Sequence, residues 1–172
     1  PCALVIHGNY LNAEERAFLR DCRGVSVVYC PRTHHYFRHD RHPFAELLNQ
    51  GVNVAIGTDS RASNPDLSVW NELQFLKDHR AVAPQTLLEL GTIRGARALG
   101  LQRETGTLCA GKSADLAVVS LRHRDTTDPW SLLPRRAALY LDRQYVLYGI
   151  GLLSTIAPEA ALATARRVLA PL

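Results

Sequence analysis

The sequence predicts an α/β protein, built from parallel βαβ units that belong to the closing part of a (β/α)8 TIM barrel. Three observations carry that expectation. First, three apolar runs (residues 3–7, 25–30 and 52–56) are rich in Val, Ile, Leu and Ala and show little polar alternation, as strands buried on both faces do. Second, each run is followed by a stretch whose apolar residues recur at helical spacing. Third, the strand ends fall near residues 7, 30 and 59, and intervals of 23 and 29 residues suit a strand, a loop and a returning helix.

In order along the chain, ALVIHG (3–8) is the first strand and its exit. Asn12 then caps a helix, with Glu15 three residues later and Ala13, Ala17, Phe18 and Cys22 on one face. VSVVYC (25–30) is the second strand, ended by Pro31, and a loop runs on to His42. Pro43 opens a helix over 44–50 that Gly51 closes. The third strand, 52–56, leads into GTDS, and a helix follows over about 67–78. Beyond residue 80 the spacing changes to two short helices, 84–90 and 92–99, the second ended by Gly100. A glycine-bounded turn from Gly106 feeds a strand ending near Leu121. Residues 145–153 are strand-like with glycine breaks, and the Ala-rich stretch 159–169 is helical.

Composition narrows the function classes. The 172 residues are 47% hydrophobic and 21% charged, enough for a sizeable core. The net charge of +4 comes from scattered Lys and Arg with no basic run interleaved with aromatics, which argues against a nucleic-acid partner. Apolar stretches fall far short of a membrane span, and the N-terminus lacks the pattern of a signal peptide. Cys2, Cys22, Cys30 and Cys109 form no C-x-x-C pair, which fits reduced thiols and a cytoplasmic location. Because the chain starts at Pro1, immediately before a strand, it reads as the C-terminal part of a longer protein.

Two residues at strand ends stand out. Asp59 follows the third strand and His7 ends the first, and a parallel barrel places such positions around one rim, where chemistry concentrates. An imidazole and a carboxylate there can bind a divalent metal, activate water or polarise a substrate. Taken singly, Asp59 also reads as a helix cap or turn residue and His7 as a hydrogen-bonded rim residue. The stretch HHYFRHDRH (34–42) invites a metal reading, but its spacing matches no common zinc pattern and its arginines repel a cation. A solvated loop on the substrate side is the better reading. Residues 106–112 lack the G-x-x-x-x-G-K-[ST] spacing of a phosphate loop.

Four stretches, IHGNYL, VVYCPRTHHYF, LLNQGVNVAIGTDSRASNPDLSVWNEL and TIRGARALGLQRETGTLCAGKSADLAVVSL, together resemble the metal-dependent amidohydrolase superfamily. The branch is that of the cytosine, guanine and adenosyl-type deaminases and the triazine hydrolases. The resemblance covers roughly residues 3–121 and implies barrel strands 6 to 8 followed by part of a small β-sandwich. It places the last three βα units and their closing helices in 1–100, and the returning sandwich segment with a C-terminal helix in 101–172. A last sandwich strand of the family's V-x-x-x-G-R type is not evident; residues 143–151 stand nearest to it.

The resemblance also implies roles. Asp59 matches the aspartate that ligates the metal and acts as general base, and His7 the histidine that contacts substrate or attacking water. Thr33, His34 and Ser60 fall in segments beside the substrate. The metal is Zn, with Fe as the other candidate. The family's remaining ligands would lie upstream of Pro1, so one Asp and one His make an incomplete centre and the 172-residue chain is expected to be inactive alone. The implied function is hydrolysis of a carbon–nitrogen, non-peptide bond: deamination of an aminated heterocycle through a metal-bound hydroxide. The alternatives are a triazine-type chlorohydrolase or aminohydrolase, or a non-catalytic truncated barrel acting as a binding partner. The partner is then a small heterocyclic substrate, with neither membrane nor nucleic acid involved and homo-oligomerisation left open.

Overall fold

The computed structural model describes residues 3–115 and two short strands, Val119–Ser120 and Ala138–Leu139. Three strands form a parallel sheet in the order β1-β2-β3, with β1 Ala3–Ile6, β2 Val25–Tyr29 and β3 Asn53–Ile56. Val5 stands opposite Val27, and Val27 opposite Val54, so the three strands end at one level. Helices α1 (Ala13–Asp21), α2 (Pro31–Tyr36), α3 (Phe44–Asn49), α4 (Val69–Arg80), α5 (Pro84–Gly91) and α6 (Ile93–Ala98) complete the α/β unit. The final pair, β4 (Val119–Ser120) and β5 (Ala138–Leu139), is antiparallel.

Local chemistry sets the helix starts. The Asn12 side chain accepts from the Glu15 amide, and the Glu15 carboxylate accepts from the Asn12 amide, closing a capping box on α1. Ser68 caps α4 by accepting from the Asn71 amide. Val27, Tyr29, Phe44, Leu47, Val54, Leu73, Leu76 and Leu90 make the centre of the core between sheet and helices.

The expectation of strands buried on both faces holds for the middle of β2 and β3 and fails for β1. Leu4 and Ile6 are exposed, because no fourth strand or further helix covers that edge among the described residues. A second correction concerns the segment after β2. Pro31 does not simply end the strand; it opens α2, as proline at a first helical turn can, and residues 31–36 are helical. The histidine-rich stretch is a solvated loop only in part: its first residues belong to α2 and His34 and His42 are buried, while most of the residues between them are exposed. The strand-like 145–153 and the helix expected over 159–169 lie outside the described residues. No described helix is long and apolar enough to cross a membrane.

Candidate active site at the strand ends

Both singled-out residues occupy strained backbone. His7 has φ +67° and Asp59 φ +57°, the left-handed region that side-chain-bearing residues seldom adopt. His7 is the centre of a three-residue turn closed by the Gly8 N–H donating to the Ile6 carbonyl at 3.0 Å. Such conformations persist only where surrounding groups enforce them. Here they turn the two side chains toward each other across the end of β2: His7 Nε2 and Asp59 Oδ2 are 3.8 Å apart, both partly exposed. That separation is too long for a hydrogen bond, so neither group spends itself on the other.

The groups that enforce the geometry are buried. His42, 1% exposed, donates from Nε2 to the His7 carbonyl at 2.6 Å and stacks on Tyr29 with ring centroids 3.9 Å apart. With the proton on Nε2, His42 Nδ1 is a buried lone pair without a partner. A second proton would have to sit there, and burial pushes the His42 pKa down to about 4. Around Asp59, Gly57 leaves room for the second strand: a Cβ on it would lie 2.8 Å from Val28 Cγ1 and 3.1 Å from Cys30 Sγ. Ser63 Oγ donates to Asp59 Oδ2 at 3.3 Å and lies 3.0 Å from Thr33 Oγ1. Burial, with the Asp59 and Glu72 carboxylates adding to it, pushes the Cys30 thiol up to about 12, so it is no nucleophile at neutral pH.

Behind this rim lies an ion network. Arg32 donates through Nε to Glu72 Oε1 at 2.6 Å, and its backbone amide donates to Glu72 Oε2 at 2.9 Å. Its Nη2 donates to Asp66 Oδ1 and to Asn64 Oδ1, each at 2.5 Å. Glu72 is fully buried, and the Arg32 guanidinium beside Asp66 holds that carboxyl well below the usual carboxylate range. Asn64 joins the network to the rim, donating to Glu72 Oε1 at 2.6 Å and to the Thr58 carbonyl at 2.7 Å.

The expected site residues thus separate. His7 and Asp59 meet, and Thr33 reaches Asp59 through Ser63. His34 is buried, with Nε2 donating to the Asp40 carbonyl at 2.6 Å and Nδ1 lying 3.0 Å from the Asn9 side-chain oxygen Oδ1. Burial lowers its pKa. Ser60 is exposed and its hydroxyl accepts from the Ala62 amide, a turn contact. Arg32, His42, Ser63, Asn64, Asp66 and Glu72 were not foreseen. One signal for them existed: Glu72 falls among the buried positions of α4, one turn before the buried Leu76 and next to the buried Leu73, where a carboxylate needs a partner.

Among the described residues no group of three or more His, Cys, Asp or Glu side chains converges, and Asp59 with His7 falls short of the three protein ligands of a catalytic zinc site.

The amidohydrolase family model matches residues 2–148. The 5-methylthioadenosine/S-adenosylhomocysteine deaminase of Moorella thermoacetica is 38% identical over 134 residues, covering 73% of this chain and 31% of that protein. The S-triazine hydrolase of Gordonia rubripertincta is 30% identical over 132 residues, covering 72% and 28%. A zinc-bound adenosine deaminase from Xanthomonas campestris superposes with a TM-score of 0.68 at 27% identity, covering 95% of this chain and 41% of that one. The chain spans about a third of the length of the curated relatives it matches. With a family model covering most of its residues, the chain belongs to the amidohydrolase family.

Proposed function

We propose that the protein supplies part of the active site of a metal-dependent hydrolase that acts on carbon–nitrogen, non-peptide bonds by deaminating an aminated heterocycle. The observation that carries this reading is the His7–Asp59 pair, held in strained backbone at the strand ends with neither side chain spent on the other. The deaminases among its relatives support the substrate class. In this reading β1, β2 and β3 are barrel strands 6, 7 and 8, residues 1–100 are the barrel portion, and 101–172 belong to the accompanying sandwich.

A divalent metal, zinc as in the Xanthomonas deaminase, belongs beside Asp59 with its other ligands supplied from outside the described residues. When bound, it makes a water acidic enough to attack near neutral pH. Asp59 takes the proton from the attacking water and returns it to the leaving amine. His7 Nε2, 3.8 Å from the carboxylate, faces the same space and steadies negative charge developing on the substrate, a role worth about 3 kcal/mol in comparable donors. Thr33 acts through Ser63 on the carboxylate, while His34 and Ser60 shape the rim beside the substrate.

The test is Asp59→Asn in the complete enzyme of which this chain supplies a part, assayed with 5′-deoxyadenosine and with zinc. Turnover should disappear and zinc affinity should fall; full activity in this variant would overturn the assignment. The triazine hydrolase relative supports the second reading, displacement of chloride or an amine from a triazine ring. A chlorinated triazine turned over in preference to the nucleoside would favour it.

A further inference from the structure

We propose that Asn64 is the positioning residue of Asp59: by donating to the Thr58 carbonyl it fixes the Thr58–Asp59 peptide plane and holds Asp59 in the left-handed conformation that aims its carboxylate at His7. The φ of Asp59 is the rotation between that plane and the Asp59 side chain. The side chain is tethered by Ser63, so fixing the plane fixes φ. The carbonyl side of the plane is held by Asn64 Nδ2 at 2.7 Å, with Thr33 Oγ1 at a weaker 3.4 Å. An extended φ at Asp59 would swing the Thr58 oxygen off its donors, leaving Asn64 with an unpaired N–H in a site where it is only 2% exposed.

The chemistry of the position explains why it is an asparagine. Its amide nitrogen donates to both Thr58 O and Glu72 Oε1, and its amide oxygen accepts from Arg32 Nη2 and the Asp66 amide. All of its hydrogen-bonding capacity is used. An aspartate of the same shape would turn both donors into acceptors facing a carbonyl and a carboxylate. A serine is too short to span from Glu72 to Thr58. The buried charges serve Asn64 in turn, because Arg32 and Glu72 orient the amide from its other side and exclude the flipped arrangement.

That Asp59 matters to the chemistry rests on the function proposed above; that Asn64 sets its backbone does not. The experiment keeps the two apart. The protein is labelled with ¹³C,¹⁵N-aspartate, and the amide-to-Hα coupling and ¹³C shifts of Asp59 report its φ. Asn64→Asp and the milder Asn64→Ser should both lose the left-handed signature. Ser68→Ala, which removes the cap of α4 and lowers Tm without touching Thr58, should keep it. With 5′-deoxyadenosine the Asn64 variants should lose about 100-fold in kcat, the scale of a misplaced reacting group, with a much smaller change in KM. Persistence of the Asp59 signature in either Asn64 variant, or its loss in Ser68→Ala as well, overturns the proposal. If the complete enzyme shows no turnover while the signature behaves as stated, the proposed function falls and the positioning role stands.

Discussion

At His7 and Asp59 the conformational cost and the proposed chemistry sit on the same residues. A non-glycine residue in the left-handed region costs roughly 1 kcal/mol or more. Replacing Asp59 by glycine relieves that cost and loses only one long hydrogen bond, from Ser63. Asp59→Gly should therefore match or exceed the unaltered protein in Tm, by up to about 4 °C for 1 kcal/mol in a chain of this size, while turnover is lost. A clear fall in Tm would show that the conformation is not strained. His42 gives a pH signature of opposite character. Its pKa is near 4 in the folded protein against 6.5 for a solvated imidazole, so the unfolded chain binds the proton first as pH falls. Its contribution is intact above about pH 6.5 and is lost between 6.5 and 4, roughly 2 kcal/mol of it between pH 7 and 5. His34, lowered in the same direction, adds to the trend. In His42→Gln, which still offers a donor to the His7 carbonyl, denaturant unfolding at pH 7 and 5 should differ less by that amount. An unchanged difference would move the pH dependence elsewhere.

Among the elements, α2 and α4 show how a buried pair fixes one helix against another. Arg32 is in the first turn of α2 and Glu72 in the first turn of α4, and their ion pair places both helix starts beside the rim. The two residues are 40 positions apart, and nothing local in either segment signals the partner, which explains why this pairing was invisible in the sequence. The start of α2 was hidden differently: one proline both stops a strand and starts a helix, and only the helical reading satisfies residues 31–36. Helices α1, α3, α4, α5 and α6 were legible within a few residues because caps, glycine stops and apolar spacing agree. Glu72→Ala leaves the Arg32 guanidinium facing Asp66 alone in a largely buried place, so urea unfolding should show a loss of about 3–5 kcal/mol. Glu72→Ala made in an Arg32→Met background should cost far less, since no buried cation is then stranded. Equal losses in both backgrounds would contradict the charge argument.

For the whole molecule, the three strands and their common end were legible because unbroken apolar runs at regular intervals have few other solutions. The rim pair was legible for the same reason: the fold brings strand ends together, so His7 and Asp59 needed only their positions in sequence. What the pattern could not reveal was which strands have neighbours. Among the described residues β1 pairs with β2 on one side only, and Leu4, Ile6 and the α1 residue Phe18 are exposed around it. Beside them an open apolar cleft of about 390 Å³ is lined by Val5, Leu11, Phe18 and Leu19 and the stems of Glu14 and Glu15. The outward amides and carbonyls of an uncovered strand are a template for pairing, and apolar side chains around it add a driving force for association. The 172-residue chain by itself should therefore self-associate with rising concentration, and charge at the edge should suppress this without unfolding the sheet, because these side chains contribute little to the core. Ile6→Lys combined with Phe18→Glu is the direct test, read by light scattering with circular dichroism as the control for folding. Suppressed scattering with an unchanged spectrum locates association at β1 and α1; unchanged scattering would mean that this edge is not the sticky surface.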